Sequence, residues 1–305
     1  MLMFLEQALN GLQYSALLFL LAAGLTLVFG IMNVINLTHG SFYMVGAFCA
    51  AAATASTGSF AAAVVAAVAG AGLYGLIVEL LVIRHLYRRD HLDQVLATLG
   101  LILFTNELVT IVFGRSPPFM DIPPFLSGSV QVLPGLYYPI MRLAFIVVGI
   151  AVAIGLWLLI SRTRVGMLVR AGADDREMVD VLGINIQRLF TLVFTLGAVL
   201  CGFAGVMAAP LLAVEIGMGE RVLITALVVI VVGGLGSVRG ALVGALLIGM
   251  ADALGRAYIP IWMSSLFPPQ ISDSLSSGLV SASVYILMAL VLLFRPRGLL
   301  PQQSA

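Results

Sequence analysis

Long apolar runs constrain the fold of this chain more than any other feature. A helix needs about 20 apolar residues to cross the hydrocarbon core of a bilayer. Runs close to that length occur at 9–30, 37–56, 60–83, 94–113, 139–160, 189–211 and 278–294, and shorter ones at 222–233 and 240–256. The sequence therefore predicts an all-α polytopic integral membrane protein that forms a single domain over 1–305. We expect about eight or nine transmembrane helices, one or two of them broken or re-entrant.

The few charged residues set the expected orientation. They make up 10% of the chain, against about 25% in soluble domains. Cytoplasmic loops carry an excess of arginine and lysine, so the arginines predict cytoplasmic segments at 84–89, 162–188 and 295–297, and external loops at 114–138 and 257–277. We expect the N-terminus outside and the C-terminus inside. Because the first cation is Arg84, we also expect no cleavable signal peptide, and the first run then stays as a membrane helix.

Composition also excludes several classes of function. All 15 cations are arginines, and a P-loop needs a lysine to reach the nucleotide phosphates, so any ATP hydrolysis belongs on another chain. A net charge of +1 provides no basic surface for nucleic acid. Cys49 and Cys201 lie singly in apolar runs without metal-ligand spacing, which favours packing roles. We expect no enzyme activity, no metal and no cofactor.

Polar residues interrupt the apolar pattern at two places, 29–41 and 233–240. Irregular backbone at membrane depth is tolerated only where it lines a cavity or is buried in protein. The first stretch contains Asn33, Asn36 and His39, which we assign to a translocation path. The alternative is that both stretches are ordinary cytoplasmic turns and that His39 is a satisfied structural group.

Three carboxylates fall within or near the ends of apolar runs: Glu79, Glu107 and Asp252. A carboxylate at the bilayer centre costs about 2.5 to 3.5 kcal/mol on insertion scales, so such groups usually face protein or water. Glu107, with its neighbour Asn106, is the strongest candidate for lining a polar path. The alternative is an interhelical hydrogen bond or an arginine partner.

The cytoplasmic segment 162–188 carries the densest cluster of charge. Asp174 and Glu177 have the spacing of a capping box, and Gly183 provides a helix stop. This pattern predicts a short helix of about two turns that presents Met178, Val181 and Leu182 on one side. Such a helix can press into a groove on a cytoplasmic partner; the alternative, an amphipathic helix lying on lipid headgroups, conflicts with its acidic character.

Four blocks of the chain resemble the permeases of branched-chain amino acid ABC importers, of the LivH type. They are LNGLQYSALLFLLAAGLTLVFGIMNVINLTHGSFYMVGAF, RAGADDREMVDVLGINIQRLFTLVFTLGAVLCGFAGVMAAP, VVIVVGGLGSVRGALVGALLIG and LLFRPRGLL. The blocks are spread over nearly the whole length, so the resemblance covers the full chain.

The resemblance implies a transport subunit of the bacterial inner membrane, surrounded by membrane lipid. Its expected partners are a second homologous permease in a heterodimer, two cytoplasmic ABC ATPases and an external or periplasmic solute-binding protein. The expected substrates are branched-chain or related hydrophobic amino acids. The residues implied for ATPase coupling are Gly172, Ala173, Asp174, Asp175, Glu177 and Gly183, and those implied beside the path are Asn33, Asn36, His39 and Gly40.

Two other readings of the residues stay open at this point. One is a secondary transporter or channel for small amides, urea or aromatic acids that uses Glu107 or Asp252 as its coupling group. The other is a membrane scaffold without transport activity, which would explain the charged segment but not the interrupted helices.

Overall fold

Helices form most of the chain, as the apolar runs predict. The computed structural model describes residues 2–300 except 33, 35, 88, 117 and 175, and their side chains except those of 176, 177 and 270. Its helices are α1 (Leu2–Met32), α2 (His39–Thr57), α3 (Phe60–Val78), α4 (Arg84–Leu86), α5 (His91–Phe113), α6 (Ile140–Arg162), α7 (Arg164–Asp174), α8 (Arg176–Val181), α9 (Ile186–Ala208), α10 (Met218–Gly233), α11 (Val238–Leu266) and α12 (Pro269–Phe294). A π-helical turn, Glu79–Ile83, joins α3 to α4, and a 3₁₀ turn, Pro124–Leu126, precedes strands β1 (Ser129–Leu133) and β2 (Leu136–Pro139).

Seven of the described helical stretches are long and apolar enough to cross a membrane. They are α1, α3 with α4, α5, α6, α9, α11 and α12. The remaining two predicted runs became α2 and α10, of 19 and 16 residues, which correspond to about 28 and 24 Å of helix. The predicted all-α polytopic fold is confirmed, and the expected number of spans agrees roughly.

The first helix lies at the centre of the bundle. Side chains on every face of α1 are buried from Ser15 to Val28, against α6, α7, α9, α10 and α11. In contrast, α5, α6 and α12 are largely exposed along their lengths. A helix that is apolar all round fits either environment, so α1 is buried in protein while the outer helices are available to lipid or to other subunits.

The predicted external loop 114–138 contains an antiparallel hairpin, in which Val130 pairs with Tyr138. The Tyr138 hydroxyl and the Arg142 guanidinium both donate to the Asn10 side-chain oxygen, at 3.0 and 2.6 Å. The hairpin is therefore attached to the N-terminal part of α1, and both lie at the same end of the molecule. Its external location stays a prediction.

The segment 257–277 is almost entirely helical, which corrects the prediction of a loop there. Helix α11 continues to Leu266, and α12 begins at Pro269 after a short break. Two serines in this segment bond locally: the Ser264 and Ser265 hydroxyls donate to carbonyls three residues earlier. Such local bonding satisfies a hydroxyl without interrupting a helix.

Candidate functional site

The first interrupted segment ends in a polar turn at the start of α2. The Asn36 side-chain oxygen accepts the Thr38 backbone N–H at 2.9 Å, and the Asn36 amide lies 3.1 Å from the His39 ring nitrogen Nδ1. Asn36 and His39 are each 1% exposed. Two of the residues assigned to the path from sequence are therefore brought together, and both are buried in protein. Asn33 lies outside the described residues.

This turn lies well inside the helix bundle. A Cβ added to Gly197, in the middle of α9, would be 2.9 Å from His39 Nε2. The His39 ring also makes edge-on contacts with Phe42 and Phe194, with centroids 5.5 and 6.0 Å apart. The start of α2 is thus level with the middle of a helix that is long enough to span the membrane, and the interrupted backbone is buried among helices, as expected for irregular structure at depth.

The N-terminus of α10 meets the N-terminus of α2 at two glycines. A Cβ on Gly40 would be 2.4 Å from the Gly219 carbonyl oxygen, and a Cβ on Gly219 would be 2.1 Å from the Gly40 carbonyl oxygen. No larger residue fits such an approach of two backbones. Since helix N-termini carry partial positive charge, this contact, which we call the α2–α10 junction, places two such ends side by side within the protein.

Asn106 of α5 faces the junction and has a partner that the sequence reasoning missed. Its amide donates to the Glu220 carboxylate at 2.6 Å, and Glu220 lies in the first turn of α10. An acidic residue in the first turn of a helix is favoured by the helix dipole. The sequence does not reveal this role of Glu220, because the apolar run begins at 222 and the helix begins four residues earlier, at Met218.

Glu107 does not line a polar path with Asn106 within this chain, which corrects the prediction. It is exposed, whereas Thr105 and Val109 on the other side of α5 are buried. Consecutive residues on a helix point about 100° apart, so one of two neighbours can face inward while the other faces outward. Gln94, Thr98 and Thr105 recur at helical spacing on the buried face of α5, so a stripe of polar residues, rather than of apolar ones, marks the side that faces protein.

The other two carboxylates belong to closed networks. Glu79 is fully buried and accepts hydrogen bonds from Tyr87 at 2.6 Å, Thr191 at 2.9 Å and Arg84 at 3.4 Å. Burial, followed by the contact with Glu79, raises the pKa of Tyr87, so its phenol stays protonated and donates. Asp252 receives two hydrogen bonds from Arg256, at 2.7 and 2.9 Å. Both carboxylates therefore have structural partners.

The segment predicted to couple to an ATPase forms α7 and α8. Gly172 is buried, and a Cβ there would be 3.4 Å from Leu189 of α9 and 3.8 Å from Ile31 of α1. Ala173 is half-buried. Asp174 is exposed and helical, within α7, which corrects its assignment as an N-cap, because an N-cap residue lies outside the helical backbone. Asp175 and the Glu177 side chain lie outside the described part of the chain.

The short helix α8 has the predicted apolar face. Met178, Val181 and Leu182 are 57%, 83% and 69% exposed, while Val179 on the other side is 3% exposed. The predicted stop is also confirmed: Gly183 has φ +82°, and its N–H donates to the Asp180 carbonyl at 2.9 Å. A left-handed glycine of this kind is a common helix end. The result is an apolar surface on a charged, outward-facing segment.

Comparison with known proteins identifies the family. The family described as "Branched-chain amino acid transport system / permease component" matches residues 7–294. The chain belongs to this family.

Curated relatives of the permease match along nearly its full length. It is 32% identical to the high-affinity branched-chain amino acid transport system permease protein BraD of Pseudomonas aeruginosa, over 97% of this chain and 95% of the relative. It is 30% identical to the corresponding protein LivH of Salmonella typhimurium, with the same coverage. A probable LivH of Methanocaldococcus jannaschii is 29% identical over 81% of this chain and 79% of the relative. No solved structure matches the permease.

Family membership establishes what kind of protein this chain is. It is a multi-pass permease of the inner membrane and a transport subunit rather than an enzyme. Permeases of this family belong to ABC import systems, which also contain ATPase and solute-binding components. The alternatives of a secondary transporter, a channel or a scaffold are not favoured.

Proposed function

We propose that the permease carries branched-chain amino acids, delivered by an external solute-binding protein, through a heterodimer that it forms with a second, related permease. Two ATPases on the cytoplasmic side drive the cycle. The names of the relatives support the substrate class, and the absence of lysine from the chain agrees with nucleotide sites on separate subunits.

The exposed apolar face of α8 carries this proposal. Three large apolar side chains are more than half exposed: Met178 and Val181 on α8, and Leu182 directly after it. Apolar surface rimmed by charged residues marks a contact site for another protein. The arginines of the same segment place it on the cytoplasmic side by the positive-inside rule, where the ATPases act. We assign the direct contact to α8 with Asp174 and Gly183, and an indirect role to Gly172 and Ala173, which face inward.

Contacts within the bundle provide a route from α8 to the α2–α10 junction. Gly172 of α7 packs on α9 and α1, so a displacement of α8 is passed to these helices through close contacts. The same two helices meet again at Gly24 and Gly197, where a Cβ on Gly24 would be 2.8 Å from the Gly197 carbonyl oxygen. Gly197 borders His39. Closely packed small residues transmit displacement because they leave no space to absorb it.

The α2–α10 junction is the place that we assign to the translocation path. Two helix N-termini converge there, and half-helix N-termini at mid-membrane bind anionic groups of substrates in other transporters. Asn36, His39 and Asn106 surround the junction with polar groups, which suits the charged backbone end of an amino acid. Asn33, which lies outside the described residues, belongs to this proposal on the sequence pattern alone. We propose that alternating access separates these packed elements during transport.

A second permease is supported by the outer face of α5. Glu107 is exposed within a 23-residue apolar helix, where contact with lipid would cost about 2.5 to 3.5 kcal/mol. A protein surface with a polar or cationic partner would remove that cost. Coverage of this face by a related permease therefore accounts for a carboxylate that has no role inside this chain.

Mild-detergent affinity purification of the permease tests the proposal, with mass spectrometry of the proteins recovered with it. Two P-loop ATPases and one related permease are expected, and the purified assembly should import leucine into proteoliposomes only with ATP and a solute-binding protein. If the chain is recovered alone and leucine uptake is sensitive to protonophores but independent of ATP, the proposal is wrong.

A further inference from the structure

A groove with a volume of about 660 Å³ runs along α1 and is not used by the proposed path. Its walls come from α1, α6, α7 and the start of α11 with the loop before it. We call it the α1–α6 groove and define it by Phe19, Leu27, Ile154, Trp157, Arg170 and Arg239. The polar residues of the α2–α10 junction are not among its lining residues.

The groove is elongated and changes in character along its length. On α1 its lining extends from Phe19 to Ile31, about 18 Å at a rise of about 1.5 Å per residue. The Phe19 end is apolar, whereas Ser161, Arg170 and Arg239 gather near the Ile31 end. This end belongs to the side that carries segment 162–188, so the polar end is the predicted cytoplasmic one. A slot that is apolar at one end and cationic at the other is complementary to an anionic amphiphile.

The groove opens sideways toward the surroundings of the bundle. Ile154 and Trp157 line it and are also 54% and 43% exposed. They belong to α6, one of the outer helices. A tryptophan close to the cytoplasmic end of an outer helix is typical of the level of the lipid headgroups. The groove is therefore accessible to a molecule from the bilayer.

Both arginines have hydrogen-bonding capacity for an anion. Arg170 donates one N–H to the Ile160 carbonyl, which leaves the other donors of its guanidinium. Within the described part of the chain, neither Arg170 nor Arg239 forms an ion pair with a carboxylate. Two cations at one opening without an acidic partner create a local positive potential.

A buried hydroxyl lies in the wall of the groove. Thr26 is 0% exposed and lines the groove, and its hydroxyl has no hydrogen-bond partner among the described residues. An unpaired buried hydroxyl costs about 1 to 3 kcal/mol. Thr26 lies about 7.5 Å along the helix from Ile31, the level of the ester carbonyls of a phospholipid whose phosphate sits at the arginines. Because the hydroxyl is covered by protein, a carbonyl reaches it only after the groove wall shifts.

We propose that the α1–α6 groove binds one anionic phospholipid of the cytoplasmic leaflet. Its phosphate is held by Arg170 and Arg239, an ester carbonyl accepts the Thr26 hydroxyl, and one acyl chain lies along Leu27 toward Phe19. Basic pockets between transmembrane helices on the cytoplasmic side are typical sites for anionic headgroups. Free phosphate or a free amino acid would leave most of the apolar length unfilled. The assignment depends on the predicted orientation but not on the identity of the transported substrate.

Native mass spectrometry of the full chain, released from nanodiscs, tests this site. The probes are phosphatidylglycerol, phosphatidylcholine of the same acyl composition, and inorganic phosphate. We expect one retained phosphatidylglycerol. In the Arg170→Gln/Arg239→Gln variant its affinity should fall about 30-fold, because each arginine near an anionic surface contributes about a fivefold factor. The matched control is Arg295→Gln/Arg297→Gln, which removes two exposed arginines outside the groove and should change nothing.

A second pair of variants tests the acyl-chain part. Ala153→Phe fills the groove from α6, and Ala151→Phe adds the same ring on the exposed face of that helix, outside the groove. Only Ala153→Phe should abolish retention. Arg170 also bonds to α6, so the double variant could misfold. In that case Arg239→Gln alone tests the headgroup contact, and we expect its affinity for phosphatidylglycerol to fall about fivefold. Equal retention of phosphatidylcholine, binding of inorganic phosphate that Ala153→Phe does not affect, or displacement of the lipid by leucine would each overturn the proposal.

Discussion

The α2–α10 junction and the short helix α8 depart from ordinary packing in opposite directions. At the junction, Asn36 and His39 are 1% exposed, so polar groups are buried where apolar ones are usual. On α8, Val181 and Leu182 are 83% and 69% exposed, so apolar groups lie where polar ones are usual. Buried polar groups and exposed apolar patches are the informative exceptions in protein architecture.

The difference between these two regions indicates how each is stabilised. The junction supplies partners for several of its polar groups: Asn36 bonds to Thr38 and His39, and Asn106 bonds to Glu220. The side chains of Val181 and Leu182 remain mostly exposed, and a surface from another molecule would cover them. We therefore expect substitutions at the junction to affect folding and transport together, and substitutions on α8 to affect transport alone.

The largest effect should come from filling the contact between the two helix starts. Gly40→Leu places a side chain where a Cβ would already be 2.4 Å from a backbone oxygen, and backbone cannot move aside as a side chain can. Overpacking costs about 1 to 3 kcal/mol or more, so we expect loss of folded protein, measured by size-exclusion chromatography after membrane extraction. Gly100→Leu is the control, since a Cβ there meets nothing within 4 Å. Normal folding of Gly40→Leu would contradict the close approach at the junction.

The next effect separates α8 from the junction. Val181→Glu with Leu182→Glu places two carboxylates on the apolar face, and burying them against a partner costs at least about 2 kcal/mol. We expect recovery of the ATPases to fall at least about 30-fold, with unchanged thermal unfolding of the permease in detergent. Gln187→Glu, an exposed change in the same segment, is the control. Undiminished uptake by the double variant would remove α8 as the coupling element.

The sequence predicts features whose cause is local along the chain. Apolar runs near 20 residues became helices because their length matches the bilayer, and Gly183 ends α8 because only a left-handed residue fits there. The apolar face of α8 follows from the spacing of Met178, Val181 and Leu182. The four sequence blocks that resemble the family are also local stretches of residues, so the resemblance is visible without knowledge of the fold.

Features that depend on contacts between distant elements were not predictable. The prediction for α5 treats the carboxylate as the inward group, whereas Gln94, Thr98 and Thr105 mark the buried face and Asn106, rather than Glu107, has an internal partner. The partner itself, Glu220, lies 114 residues away in the chain and is not visible from the sequence. The meeting of Gly40 with Gly219 joins residues far apart in the chain. The segment 257–277 lies between two apolar runs, so the sequence predicts a loop there. The backbone hydrogen bonds that make it helical are not visible in that pattern.

A smaller effect should distinguish the two neighbours on α5. Glu220→Ala removes the acceptor of the Asn106 amide and leaves a partly buried donor unpaired, at about 1 kcal/mol, the low end for a lost hydrogen bond. We expect lower thermal stability in detergent and slower uptake, partly restored in Glu220→Gln, which keeps an oxygen acceptor. Glu107→Ala is the control and should leave the stability of the isolated permease unchanged, since Glu107 is exposed. Equal destabilisation by both alanine variants would show that the assigned faces of α5 are wrong.

The smallest effect should come from the end of α8. Gly183 has φ +82°, and a Cβ there meets nothing within 4 Å, so Gly183→Ala is opposed by backbone conformation rather than by packing. A non-glycine residue in the left-handed region costs about 1 to 2 kcal/mol, which loosens the last turn that holds Val181 and Leu182 in place. Docking of the ATPases should weaken about fivefold or slightly more, measured by titration of the purified ATPase on the permease in nanodiscs. Because asparagine tolerates this conformation better than alanine, Gly183→Asn should bind more tightly than Gly183→Ala. If the two variants bind equally weakly, a direct contact of the glycine with the ATPase, rather than the shape of the helix end, determines the effect.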